Sequence, residues 1–571
     1  MPVLDAPVRR YLPERIALGD AAAVTACFDE LRDRLLPNVG ALQRWLEDLS
    51  ELEAALEEEG AWRYIRMTLD TTDKTAGELY RAFTAEVLPV VELRMDELHR
   101  RLVVVPFLDQ VEIDGMSVYL RGIKGQLRIF REENVPIQVE LRDLAQQYSG
   151  TIGAMSIEWE GETITLPKAA ALLESTDRAE REAVYRLMAA RRLQDATALD
   201  DLFTNMVAKR NTIADHAGFG NFRDYAYASL GRFDHTPSDA MAFHAAVQEH
   251  VVPLVDRMYR ERKEALGVDA LRPWDLQVDT SGKPPLRPFD SDDRLIDLAV
   301  EVFGNVHPYF AECLRTMRTM GRLDLGSRTG KAPGGYNYPL YETGAPFIFM
   351  NAVGTTDDVI TMFHEGGHAV HSFLTHPLRI TGSKSFPSEV AELASMSMEL
   401  LTMDHWHLVY TDADDLRRAK RDQLERVLTI LPWVATVDAF QHAVYLNPGM
   451  SAEERHGLWR ETFTRFAGEV VDHSGLEKER DHLWHKQLHL FELPFYYIEY
   501  GIAQLGAIAI WRNYKREPAA AVEAYMNALR AGYTKPLPEL YALAGIRFDL
   551  SPAYIRDLAA FINEELSALG S

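Results

Sequence analysis

The chain has 571 residues, with 61 Lys+Arg against 86 Asp+Glu for a formal charge of −25, and only two cysteines. That acidic balance argues against a nucleic-acid backbone or an anionic membrane surface as partner, since both demand clustered Lys and Arg. The cysteines, Cys27 and Cys313, stand far apart, which excludes a disulfide framework and a cysteine-rich metal site; any metal would rest on His and carboxylate.

The first residues, "MPVLDAPVRRYLPERIALGD", carry charges throughout and read as no secretory signal. No continuous apolar run approaches the ~18 residues of a membrane span. The expectation is a cytoplasmic protein in a reducing compartment. From Ala21 to about residue 105 apolar residues recur at three- and four-residue spacing, with charged residues on the opposite face, which predicts helices packed on helices. "MSIEWEGETITLPK" alternates apolar and polar residues around Glu160-Gly161 and predicts a short hairpin. A domain boundary is placed near 150, giving an N-terminal helical domain (1–150) and a second, catalytic domain (151–571). Long helices follow, separated by the exposed loop "DTSGKPPLRPFDSDD" and by a glycine-rich loop over 326–346. The latter leads into "FIFMN" (Phe347 to Asn351), a short strand expected at a sheet edge, where an extended peptide could pair with it.

Next comes "GTTDDVITMFHEGGHAVHSFL". Thr355 and Asp358 resemble a capping box, so a helix from about Thr356 to Leu374 is expected. It would set His364 and His368 one turn apart on one face, where both imidazoles reach a single Zn²⁺, with Glu365 beside the metal to polarise water. Gly366 and Gly367 each cost ~1 kcal/mol of helix propensity relative to Ala, and close approach of another backbone or a ligand would explain them. Such a pair of histidines also arises by chance, so a third ligand must be found downstream. In "SFPSEVAELASMSMELL", Ser388 can cap a helix on which Glu389, Glu392 and Glu399 share one face. Three aligned acids among Val, Ala, Leu and Met are costly to bury without a facing cation.

"HEGGH" followed by "EVAELASMSMEL" resembles the zinc core of the thimet oligopeptidase and oligoendopeptidase F family of metallopeptidases. The resemblance implies that Glu392, 24 residues after His368 and seven before Glu399, completes a one-zinc site with His364 and His368. Glu389 is then the second choice, better suited to orienting an imidazole. It implies a mainly α fold, a large helical clamshell with a deep central channel and a small β-sheet beside the zinc helix. It further implies that His489 and Tyr500, in the tyrosine-rich "HLFELPFYYIEYGIAQLG", reach the substrate carbonyl or its oxyanion, with Tyr496 and Tyr497 as neighbours. The remaining histidine of the motif, His371, is read as packing or as an outer partner. The expected activity is a zinc-dependent endopeptidase acting on short unstructured oligopeptides, with Glu365 as base. A zinc carboxypeptidase of similar fold and a non-catalytic peptide-binding scaffold stay open as alternatives.

Overall fold

The computed structural model describes residues 9–570 and is mainly helical, with two small sheets. The chain forms two compact units, each assembled from three segments. The first holds residues up to Leu127, Arg287–Leu416 and Gly506–Phe548; the second holds Arg128–Leu286, Arg417–Leu505 and the residues from Asp549 on. In the first unit the N-terminal helices pack with the middle of the chain. Ser50 and Thr381, 331 residues apart, are joined by a buried hydroxyl–hydroxyl bond of 2.9 Å, and Glu58 accepts from the backbone N–H groups of Glu342 and Thr343.

In the first unit, Asn38 caps the long helix Val39–Leu69 by accepting from Ala41 N–H. That helix buries Leu42, Trp45, Leu46, Leu49 and Leu52 on its apolar stripe, as the periodicity requires. The indole of Trp45 donates to Leu31 O at 2.8 Å, so its one polar atom is satisfied inside the core. Between Lys74 and Leu102 the helix is widened into a π turn at Phe83–Val87, just before Pro89. Proline has no N–H to give the preceding turn, and the extra residue absorbs the mismatch.

The first unit also carries a sheet of three strands, β3 (Leu323–Gly326), β4 (Tyr336–Tyr338) and β5 (Phe347–Ala352), in the order β3-β5-β4. Strand β5 is parallel to β3 and antiparallel to β4. It is therefore central, and the expectation of an edge strand at Phe347–Asn351 is corrected: β4, a three-residue strand inside the loop predicted over 326–346, occupies that side. Central position fits the sequence, since Phe347, Ile348, Phe349 and Met350 are all buried.

The second unit contains the predicted hairpin, β1 (Ser156–Trp159) paired antiparallel with β2 (Glu162–Thr165). Its turn uses Glu160 at φ 52° and Gly161 at φ 86°, two successive positive values of the kind that match strand twist. The helix Ala413–Leu446 contains an 18-residue window of mean hydropathy 1.3, long and apolar enough by composition to cross a membrane, and 72% of that window is buried. The polar residues interspersed along it hid this window from a search for continuous apolar runs; Val427, Leu428, Leu431, Val434 and Phe440 are core residues.

Candidate active site

Strand β5 runs through Gly354, at φ 94°, into the helix Thr356–Thr375. The predicted cap is present: Thr355 Oγ1 accepts from Asp358 N–H at 3.2 Å, and Asp358 Oδ2 accepts from Thr355 N–H at 2.8 Å. A second helix, Ser388–Met403, packs directly against it. Ser388 is the first helical residue here, not the cap; Pro387 holds the cap position with no side-chain bond. The two glycines explain how close the helices come. A Cβ on Gly367 would stand 2.7 Å from both Ala394 O and Ser395 Cα, and one on Gly366 would meet the Phe303 ring at 2.5 Å. The second helix is held from behind by Tyr525, whose hydroxyl donates to Ala394 O at 2.7 Å, and by Tyr541, which donates to Glu389 O at 3.1 Å.

This approach brings His364, His368 and Glu392 together, with one donor atom of each within 4.8 Å of the others. Glu392 Oε2 lies 3.4 Å from His364 Nε2 and 3.8 Å from His368 Nε2. Both separations exceed a good hydrogen bond; the first equals, and the second slightly exceeds, the spacing of about 3.4 Å between donors of a tetrahedral ion bound at ~2.0–2.1 Å. Two imidazoles and a carboxylate are also the donor types that a catalytic zinc takes, so the residues present fit that ion. His364 Nδ1 lies 2.7 Å from Glu399 Oε1, which orients the ring with Nε2 toward Glu392. Glu399, rather than Glu389, is thus the carboxylate that fixes this imidazole. Glu389 is buried on the same helix.

The electrostatics are those of charges confined between two helices. Burial works against a charged His364, but the carboxylates of Glu392 and Glu399 outweigh it and raise its pKa well above the ordinary value. For His368 burial prevails over the pull of Glu392 and lowers the pKa to about 4. Glu365 is 7% exposed, its Oε2 has no hydrogen-bond partner, and burial raises its carboxyl to about 7. Its backbone carbonyl accepts from Asn337 Nδ2 on β4 at 3.2 Å, which ties the small sheet to this turn of the helix. His371 is packing: fully buried, it stacks on Phe386 with ring centroids 3.6 Å apart and neither nitrogen bonded.

Among the described residues, two other groups bring together residue types that can hold metal. At Asp200, Oδ1 lies 3.0 Å from His456 Nε2 and 2.9 Å from His485 Nε2, ordinary hydrogen-bond lengths. At Asp412, the carboxylate caps a helix by accepting from Asp414 N–H and Asp415 N–H.

In the second unit the expected histidine and tyrosines gather by a route the spacing did not foretell. His489 lies on a short helix, Leu488–Glu492, and the chain then turns through Phe495 at φ 69° before the helix Ile498–Arg516 begins. This left-handed residue is held by its N–H donating to Gln441 Oε1 at 2.7 Å and by Arg232 on its carbonyl. The break folds Tyr496, Tyr497 and Tyr500 around His489, with ring centroids 5.7, 4.9 and 5.6 Å away. Sequence reasoning missed Gln487. Its Oε1 accepts from the Trp433 indole at 3.1 Å, and its Nε2 donates to His489 Nδ1 at 3.0 Å. Indole N–H only donates, so the amide orientation follows, and the proton of neutral His489 is placed on Nε2. No sequence signal could have found this relay, because Trp433 and Gln487 are 54 residues apart.

Comparison with known proteins places the chain in a family. The profile of peptidase family M3 matches residues 171–560, and that of the peptidase M3 N-terminal domain matches residues 17–130. Group B oligopeptidase PepB of Streptococcus agalactiae is 25% identical over 403 residues, covering 69% of this chain and 64% of PepB. An oligoendopeptidase F homolog of Lactococcus lactis subsp. lactis is 24% identical over 415 residues, covering 70% of this chain and 65% of the relative. The alignments thus span slightly less than two thirds of these relatives' lengths. The solved structure of PZ peptidase A with inhibitor 2 superposes with a TM-score of 0.90 at 27% identity, covering 98% of this chain and 99% of that one. The chain belongs to peptidase family M3.

Proposed function

We propose that this protein is a zinc-dependent endopeptidase that hydrolyses internal bonds of short, unstructured oligopeptides, in keeping with the zinc metallopeptidases of its family. The observation that carries the proposal is the convergence of His364, His368 and Glu392, with their ring nitrogens and carboxylate oxygen 3.4 and 3.8 Å apart, beside an unpartnered buried carboxylate oxygen of Glu365. His364 Nε2, His368 Nε2 and the Glu392 carboxylate would hold one ion. Bound zinc would polarise the scissile carbonyl and lower the pKa of water.

The chain's own groups supply the rest. Glu365 accepts a proton from the attacking water at its carboxylate and delivers it to the leaving amide nitrogen, and its raised pKa suits a group that must take and give a proton near neutral pH. Glu399 holds His364 in the tautomer that leaves Nε2 free to ligate. In the second unit, the relay from Trp433 through Gln487 gives His489 a donor at Nε2, so His489, with Tyr500, is assigned to the negative oxygen that develops as the amide is attacked. Tyr496 and Tyr497 pack against His489 and are assigned a supporting part. For a substrate in extended form, the strand available for backbone pairing is β4, whose other side is bonded to β5. Two cysteines in no disulfide agree with a reducing, cytoplasmic setting.

Mass analysis of fragments from an internally quenched peptide with both ends blocked tests this reading. Internal cleavage that stops with a chelator is expected. Trimming only of peptides with a free C-terminus would favour the carboxypeptidase, and no cleavage the scaffold.

A further inference from the structure

The second unit carries a solvent-open pocket of about 360 Å³, within the size range of small-molecule sites. Most of its wall is apolar, including Met188, Val255, Leu276, Phe463, Phe466 and Leu483. Arg192, Lys486 and Glu479 also line it. Among the described residues, neither cation has a carboxylate within ion-pair distance. Arg192 is half-buried beside the hydroxyls of Tyr185 and Tyr148, and Lys486 is exposed, with Arg192 as its charged neighbour. The ammonium of Lys486 instead sits over the Trp433 ring, 4.8 Å from its centroid.

Two neighbouring cations beside an apolar wall, with no carboxylate between them, repel each other, and an anion placed between them relieves that repulsion. With Glu479 counted, the wall carries a net charge of one positive unit. That balance matches a monoanion better than a phosphate, which carries nearly two negative charges at neutral pH. We propose that this cavity binds a small apolar carboxylate, its chain against Met188, Phe463 and Phe466 and its carboxylate between Arg192 and Lys486. The same chemistry is offered by a free apolar acid and by the C-terminus of a short hydrophobic peptide. This site is separate from the His364 centre and does not depend on how that centre works.

Isothermal titration of the zinc-loaded protein with octanoate, octanamide and acetyl-Leu-Phe tests it. Octanoate should bind saturably and at least tenfold more tightly than octanamide, a comparison within the unmodified protein. Arg192→Met and Lys486→Met should each weaken octanoate about tenfold and leave octanamide unchanged. Acetyl-Leu-Phe competing with octanoate identifies a peptide terminus as a source; failure to compete identifies the free acid. Equal binding of acid and amide, absence of saturable binding, or octanoate binding that survives both substitutions overturns the proposal. Binding that survives them but disappears with a chelator would place the carboxylate on the metal and overturn it equally.

Discussion

Glu399 Oε1 and His364 Nδ1 lie 2.7 Å apart, across the gap between two helices that pack tightly at Gly367. In the proposed centre this contact fixes the ring that ligates through Nε2. Partners of this kind typically contribute 10- to 100-fold to metal affinity. Glu399→Ala should therefore weaken zinc binding by about that factor in a chelator competition, with activity recovered by added zinc. Unchanged affinity would remove Glu399 from the centre.

Gly367→Ala tests the helix approach itself. The added Cβ would meet backbone atoms of Ala394 and Ser395, which cannot rotate away, so the helices must separate. Denaturant unfolding should show a loss of about 1–3 kcal/mol, accompanied by weaker metal binding. A stability equal to that of the parent protein would contradict this packing.

Burial of Glu365 gives a pH signature in the metal-free protein. Its carboxyl is raised to about 7 from an ordinary value of 4.5, so the folded state holds its proton more tightly than the unfolded one. That contribution is fully present below about 4.5 and is lost as pH rises toward 7. Glu365→Gln carries no such proton. The stability of the metal-free parent relative to metal-free Glu365→Gln should fall across pH 4.5 to 7, by an amount on the order of 2–3 kcal/mol. Parallel stability curves would show that Glu365 is not desolvated as described.

Gln487 offers a test of the oxyanion assignment. Gln487→Glu keeps an acceptor for Trp433 but removes the donor to His489 Nδ1, so the proton is no longer confined to Nε2. We expect kcat to fall by about tenfold or more with KM little changed. A change confined to KM would assign Gln487 to substrate binding.

How much of this could be read from sequence follows the range of the interactions. The cap at Thr355 and Asp358, the helix carrying His364 and His368, and the common face of Glu389, Glu392 and Glu399 depend on residues within one or two turns. The close approach at Gly366 and Gly367 was legible because two glycines in a helix need a reason. Whether Glu399 or Glu389 contacts His364 depends on how the two helices cross, which spacing alone does not determine. Strand β4 was hidden because Tyr336–Tyr338 is too short to show alternation and lies among glycines and prolines. The clustering at His489 turns on one left-handed residue, Phe495, of a type that seldom adopts such backbone. The packing within the first unit rests on contacts across hundreds of residues, Ser50 with Thr381 and Glu58 with Thr343, which local patterns do not announce.

In the proposed mechanism Glu365 moves the proton during hydrolysis at a centre held by His364, His368 and Glu392. The direct measurement is turnover of an internally quenched peptide by Glu365→Gln, with zinc content determined on the same sample. Zinc should remain at one ion per chain while turnover falls by a factor of about 10²–10⁴. Substantial cleavage by zinc-loaded Glu365→Gln would contradict the account.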